Sequence, residues 1–250
     1  MGRHVVVTGG SSGIGRAIAV RMARDGADVS VLARRVKEAE ETVALCEAAG
    51  GHALALPCDV RVRASVDVAF DAAVAAYGPV FAAVAVAGVG GPNHDGEGDR
   101  FDEIVQTNLY GTYHTFRAAE ARLAPEAHLV AIASILGRFG VPGYTGYCAS
   151  KTAVLGLVRA MALELAPRAQ VNAVCPGWVE TDMAWQGIDG MAAGLGITRE
   201  AALAEAMRAV PMGRMGQPEH VAGVVAWLLG PDARGVVGQG IDVNGGAWMG

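Results

Sequence analysis

Tyr147 and Lys151 are four residues apart in a stretch of helical periodicity, so their side chains share one helix face. A free tyrosine, with a pKa near 10, is a poor base at neutral pH. An ammonium about 4 Å away would favour the phenolate by roughly 4 kcal/mol at an effective dielectric of about 20. That is on the order of three pK units, enough to let the phenol give or take a proton near working pH. Ser134 ends an apolar run thirteen residues before Tyr147. A hydroxyl at a strand end can hydrogen-bond a substrate oxygen as negative charge develops there. Tyr144 is a decoy, because the residue four on from it is Cys148. Singly, each of these has an ordinary use as a surface pair or a loop serine; together they could move a proton to or from a bound oxygen.

A second group could hold an anion. Thr8-Gly9-Gly10-Ser11-Ser12-Gly13-Ile14-Gly15 follows an apolar run and opens a helical stretch. Glycines there let backbone approach a diphosphate, and the free N–H groups at a helix start face it. Gly9, Ser11, Ser12, Gly13, Ile14 and Gly15 are the candidate contacts. NAD-binding sheets usually end their second strand in an acid that accepts from the ribose 2′-hydroxyl. Here Ala33 stands there, followed by Arg34 and Arg35, with no acid between positions 29 and 37. A guanidinium suits the extra phosphate of NADP(H), which is favoured, while NAD(H) stays possible.

These side chains need a scaffold that brings their chain segments together. Short apolar runs alternate with helix-period stretches. Strands are expected at His4–Thr8, Asp28–Ala33, His52–Pro57, 81–87, 128–133, from 170 and at Gly240–Val243. Helices are expected at 13–25, 36–49, Arg63–Tyr77, 101–123, 147–166 and 218–229, with a polar loop at 89–98. The stretch 182–212 breaks the rhythm. This alternation implies an α/β fold: a single doubly wound, Rossmann-type domain spanning 1–250, with about seven parallel strands covered on both faces.

Composition narrows the function classes. Of the 250 residues 52% are hydrophobic, which argues for a folded core. A net charge of −5 argues against nucleic acid and anionic membranes as partners. No apolar run reaches the length of a membrane span, and the first strand leaves no room for a targeting segment. Cys46, Cys58, Cys148 and Cys175 form no pair at metal-site spacing, and the six histidines form no ligand motif. No metal and a cytoplasmic location are expected.

The order of motifs resembles the short-chain dehydrogenase/reductase family nearly end to end. T-G-x-x-x-G-I-G is that family's glycine turn. Asp59 and Val60 look like its adenine contact, and Ala87-Gly88 like the end of its N-N-A-G strand. Asn108, Ser134, Tyr147 and Lys151 fall where its catalytic residues fall. Pro176, Gly177, Val179 and Thr181 look like its nicotinamide-side loop, and Gly238-Gln239 and Val243–Gly246 like its C-terminal signature. The segments 171–183 and 210–218 are similar to bacterial aromatic-polyketide ketoreductases. The resemblance implies that Lys151, with Tyr147, also contacts the cofactor ribose, and that Asn108 holds a water relaying protons to Lys151. Two departures stand out: Ala85 and Val86 replace the family's asparagines, and Val89-Gly90-Gly91-Pro92 replaces the Pro-Gly-Gly element of the polyketide enzymes.

The expected activity is reduction of a cyclic or aromatic ketone. Oxidation of a secondary alcohol or cyclic diol uses the same residues, and a non-enzymatic nucleotide-binding regulator is a third reading. The small-molecule pocket is expected under a substrate-side lid at 182–212, whose Met183, Trp185, Ile188 and Met191 offer apolar contact, with Trp178 and Phe139 extending the wall. Ala153, Val154, Leu157, Val158, Met161 and Leu165 exceed one buried stripe, so a homotetramer paired through helices 101–123 and 147–166 is expected. The helix from 218 and the last strand would supply its second interface.

Overall fold

The computed structural model describes residues 3–250. Seven parallel strands form one sheet in the order β3-β2-β1-β4-β5-β6-β7. They are β1 (His4–Thr8), β2 (Asp28–Ala33), β3 (His52–Pro57), β4 (Val80–Ala85), β5 (Leu123–Ile132), β6 (Ala169–Pro176) and β7 (Gly240–Val243). The inner strands are nearly continuous Val and Ala runs because both of their faces are covered. On one face, α1 (Gly13–Arg24), α2 (Val36–Ala48) and the last helix, Pro218–Leu228, pack on Val5, Val7, Val29, Val31 and Val84. On the other, α3 (Arg63–Tyr77) and the long helices pack on Val6, Leu32, Ala83 and Leu129. The strand order reverses between β1 and β4, so a crevice opens beyond their carboxyl ends.

Five expected elements come out differently. Residues 101–123 are not one regular helix: α4 (Phe101–Val105) runs through a π turn at Gln106–Tyr110 into α5 (Gly111–Glu120). Strand β5 starts at Leu123 rather than 128, because Leu123 pairs with Val80 before a register shift restores His128 opposite Ala82. The stretch 182–212 is mainly two helices, α7 (Asp182–Leu195) and α8 (Arg199–Met207). Gly187, Gly190 and Gly194 lie inside α7, and Gly196 ends it at φ +64. Ala184 and Ile188 bury against Ala202, Ala206 and Met207, and this packing overrides the weak helix propensity of glycine. Strand β4 stops at Ala85, so Ala87 and Gly88 leave the sheet as loop. The helix carrying Tyr147, α6, begins at Thr145 and runs to Leu165.

Candidate active site

The glycine turn is built for close approach of backbone. A Cβ on Gly9 would stand 2.6 Å from the Ala87 backbone, and one on Gly15 would stand 2.2 Å from the Gly9 carbonyl oxygen. Gly9 and Gly13 hold φ of +69° and +51°, which favours glycine. Ser12 caps α1 in an extended conformation, without a side-chain hydrogen bond and with no acid in the first turn. The first N–H groups of α1 therefore keep their capacity for an anion.

The basic residues lie where the turn meets β2. Arg34 is exposed and makes no ion pair among the described residues, whereas Arg35 pairs with Glu38 at 3.4 Å and reaches Ser12 Oγ at 3.4 Å. Arg61 holds the Asp59 carboxyl below its usual range through hydrogen bonds, the shortest 2.6 Å. Val60 is buried, and its carbonyl accepts from His114 Nδ1 at 2.8 Å, which docks this turn on α5.

Ser134, Tyr147 and Lys151 meet at the carboxyl end of β5. Ser134 starts a 3-10 turn (Ile135–Gly137) and accepts from the Leu136 N–H at 3.1 Å. Gly137 keeps that turn tight on α6, since a Cβ there would stand 2.9 Å from the Lys151 carbonyl oxygen. Lys151 is buried and donates to the Ile132 carbonyl at 2.8 Å, with Nζ 5.6 Å from the centre of the Tyr147 ring. The electrostatics differ from the simple expectation of an ammonium lowering the phenol. Burial pushes the Tyr147 phenol up, and the Ser134 hydroxyl beside it opposes that. Burial also pulls the Lys151 ammonium down to about 8. At this separation the loss of hydration outweighs the pairwise attraction. Tyr144 is half-buried at the start of α6, and burial raises its phenol too.

Asn108 lies within the π turn, a distortion common at functional sites. Its Nδ2 donates to Val89 O at 3.0 Å and Ser150 Oγ at 3.1 Å, and its Oδ1 accepts from Val89 N at 2.8 Å. Both amide protons are therefore used inside the protein. A Cβ on Gly88 would lie 3.2 Å from Asn108 Oδ1 and 3.6 Å from Lys151 Nζ, so these two atoms border one small space.

The loop after β6 closes the other side. Gly177 presses on Asn244, where a Cβ would come within 2.9 Å of that side chain, and Val179 bridges to Gly216. Thr181 caps α7 by accepting from Ala184 N at 3.3 Å, and its methyl would lie 3.1 Å from a Cβ on Gly13. Met183 reaches over Gly90, where a Cβ would lie 2.9 Å from its sulfur and 3.7 Å from the Tyr147 ring. Trp178 instead packs under α7 against Gly187, and Phe139 stacks on Trp248 at 5.6 Å. A recess of about 540 Å³ beside Phe139 opens on the α6 face that carries Cys148 and Thr152, not on the face of Tyr147 and Lys151.

A family model described as enoyl-(acyl carrier protein) reductase matches residues 9–247. The chain belongs to the short-chain dehydrogenase/reductase family. Among relatives, the 3-oxoacyl-(acyl-carrier-protein) reductase FabG of Aggregatibacter actinomycetemcomitans is 34% identical over 98% of this chain and 99% of its own. The 2-(S)-hydroxypropyl-CoM dehydrogenase 3 of Xanthobacter autotrophicus is 34% identical over 97% of this chain and 95% of its own. A crystal structure of a variant actinorhodin polyketide ketoreductase with NADPH superposes with a TM-score of 0.93 at 36% identity, covering 98% and 97% of the two chains. As a short-chain dehydrogenase/reductase the protein is an oxidoreductase acting between a CH–OH group and a carbonyl, which removes the reading as a non-enzymatic regulator. The close-packed glycine turn and the uncapped start of α1 fit the nicotinamide dinucleotide of that family.

One buried hydroxyl near the end of β1 is unpaired. Thr8 pairs in register with Ala85, and its buried Oγ1 has no hydrogen-bond partner among the described residues. Sequence reading also passed over Asn93 in the loop 89–98. Its Oδ1 accepts from Gly146 N at 2.8 Å, one residue before Tyr147. The available signal was an Asn, a favoured capping residue, after Pro92 in a glycine-rich loop.

Proposed function

We propose that the protein is an NADPH-dependent ketoreductase that reduces a cyclic or aromatic ketone to a secondary alcohol. The observation that carries this reading is the meeting of Ser134, Tyr147 and Lys151 at the carboxyl end of β5, where Lys151 Nζ lies 5.6 Å from the centre of the Tyr147 ring. A protonated phenol is poised as an acid, which is what reduction needs. The dinucleotide, when bound, supplies the hydride from its nicotinamide ring. Gly9, Ser11, Ser12, Gly13, Ile14 and Gly15 hold its diphosphate at the start of α1. Arg34, supported by Arg35, binds the 2′-phosphate, and Asp59 and Val60 border the adenine. Ala87 and Gly88 form the floor, while Pro176, Gly177, Val179 and Thr181 flank the nicotinamide side. Tyr147 gives its proton to the carbonyl oxygen, and Ser134 donates a hydrogen bond to the same oxygen as charge develops on it. Lys151 holds the cofactor ribose and, from the space it shares with Asn108, returns a proton to Tyr147.

The helices α7 and α8 act as the substrate-side lid of this single domain. Met183, over Gly90 and beside Tyr147, gives the pocket an apolar wall suited to a ring-bearing ketone. The residues expected to pair protomers are not free: Val154, Val158, Met161 and Leu165 are buried in the protomer's own core. The homotetramer rests instead on the outward face of α6, where Ala149, Gly156 and Ala160 are small and exposed and Leu163 is 85% exposed. Four unbridged cysteines, three of them buried, fit a reducing cytoplasm. Among the described residues no helix is long and apolar enough to cross a membrane.

The test is a panel of 2-tetralone, other cyclic and aromatic ketones, β-keto esters and their alcohols, with both cofactors. NADPH should bind at least about tenfold tighter than NADH, about 1.4 kcal/mol, and Arg34→Ala should remove that preference. Equal affinity in the native protein would contradict the cofactor assignment. Similarity to a 2-(S)-hydroxypropyl-CoM dehydrogenase favours a second reading, alcohol oxidation by the same residues. That direction needs the phenol deprotonated, so its rate should climb with pH while reduction does not. Measured fluxes in both directions separate the two readings.

A further inference from the structure

Between residues 86 and 100 only Asn93 is buried, at 9% exposure. Its side chain is fully committed. Oδ1 accepts from Gly146 N at 2.8 Å and from the Thr145 hydroxyl at 3.1 Å. Nδ2 donates to Asp99 Oδ1 at 3.1 Å and to Thr145 Oγ1 at 3.0 Å. Its backbone N–H donates to the Gly143 carbonyl at 2.9 Å.

These contacts supply what α6 lacks. A helix start leaves N–H groups without partners, and Tyr144, at the cap position, offers no side-chain hydrogen bond. Asn93 caps the helix from a different segment of chain. The fit is close, since a Cβ on Gly146 would stand 3.2 Å from both Asn93 Oδ1 and the Phe101 ring. From the other side, Asn108 donates to Ser150 Oγ, which donates to the Tyr147 carbonyl at 2.8 Å. Asn108 also grips Val89, in the same loop as Asn93. The turn that carries Tyr147 is thus held between two asparagines joined by one loop.

We propose that Asn93 is a positioning residue for Tyr147: it caps α6 from the loop after β4 and so fixes the phenol relative to Ser134 and Lys151. The proposal rests on the reading of Tyr147 as proton donor. Proton transfer tolerates little misplacement, whereas the diphosphate and 2′-phosphate contacts lie on other segments and Lys151, the ribose contact on α6, sits more than a turn beyond the capped end.

Three variants test it: Asn93→Ala, the exchange Asn93→Asp with Asp99→Asn, and Tyr147→Phe as reference. In the exchange, the carboxylate at position 93 still accepts from Gly146 and Thr145. The amide at 99, turned so that its Nδ2 faces position 93, returns the missing donor, and its carbonyl then swings to Phe101 N, because in the native protein the single atom Asp99 Oδ1 accepts from both. The readouts are kcat and KM for 2-tetralone, or for the panel ketone that the native protein reduces fastest, NADPH affinity by fluorescence, and amide exchange at 145–150. Asn93→Ala should lose kcat by about 10- to 100-fold. NADPH affinity should stay within about twofold, and exchange at 145–150 should quicken. The exchange variant should recover most of the lost kcat and the protection. The proposal is overturned if Asn93→Ala keeps more than half of native kcat while Tyr147→Phe is inactive. It is also overturned if NADPH affinity falls in step with kcat, or if the exchange variant regains protection without kcat. Turnover by Tyr147→Phe would instead remove the reading of Tyr147 itself.

Discussion

Lys151 is buried with its ammonium on the Ile132 carbonyl, and burial lowers its pKa from 10.5 to about 8. The folded state therefore binds this proton less readily than the unfolded chain between those values. Stability rises with pH through that window, and the penalty is complete below it. The difference of about 2.5 units corresponds to about 3 kcal/mol. Lys151→Met should thus be more stable than native at pH 7, by less than this figure because the Ile132 carbonyl loses its donor, and the gain should shrink towards pH 10.5. Urea unfolding at pH 7 and pH 10 checks it, and a variant less stable at pH 7 would contradict the burial argument. Thr8 offers a second case. Its orphaned hydroxyl sits in register with Ala85, so Thr8→Val should stabilise by about 1 kcal/mol, since an unpaired buried hydroxyl costs about 1–3 kcal/mol. Destabilisation in the same urea assay would show that the hydroxyl has a use in the fold. At this scale spacing together with the family resemblance singled out Ser134, Tyr147 and Lys151, and the structure brings the three together at the end of β5. Their electrostatics were not legible, because helix spacing does not report where Nζ points or how much water the fold removes.

Among the elements, strand–helix alternation was readable because each short Val-rich run fills a doubly covered strand. The π turn at Gln106–Tyr110 was not readable, since a single π turn between two short helical segments leaves too few residues on either side to show the shift in apolar phase. Nor were α7 and α8, whose glycines read locally as breaks while the burial of Ile188 against α8 makes them helical. Gly190 and Gly194 lie within α7, and a Cβ at either meets nothing within 4 Å. The double change Gly190→Ala and Gly194→Ala should therefore raise stability by about 0.5–1 kcal/mol per site. Thermal unfolding would show the rise, and no change would mean that 182–195 contributes little helix to the cooperative fold. Asn93 illustrates a different limit: its partner Gly146 is 53 residues away, beyond what a local capping pattern can reveal.

For the whole molecule, the sheet brings segments from the first strand to the last helices around one crevice, and the family match spans 9–247. The outward face of α6 is the part of the surface that self-association would explain. Leu163→Glu places a charge there while leaving the protomer core untouched, because Leu163 is exposed. Light scattering should show the native protein at four times 25.6 kDa and the variant at a lower mass. A native mass of one chain would remove self-association from the account. The central claim is that this fold assembles a proton donor on a bound dinucleotide, and Tyr147→Phe tests it most directly, since the ring remains and only the transferable proton goes. Measured with NADPH and the best panel ketone, kcat should fall by about 10²–10⁴-fold with NADPH affinity within about twofold of native. A variant that keeps more than about a tenth of native kcat, less than the smallest loss expected of a general acid, would contradict it.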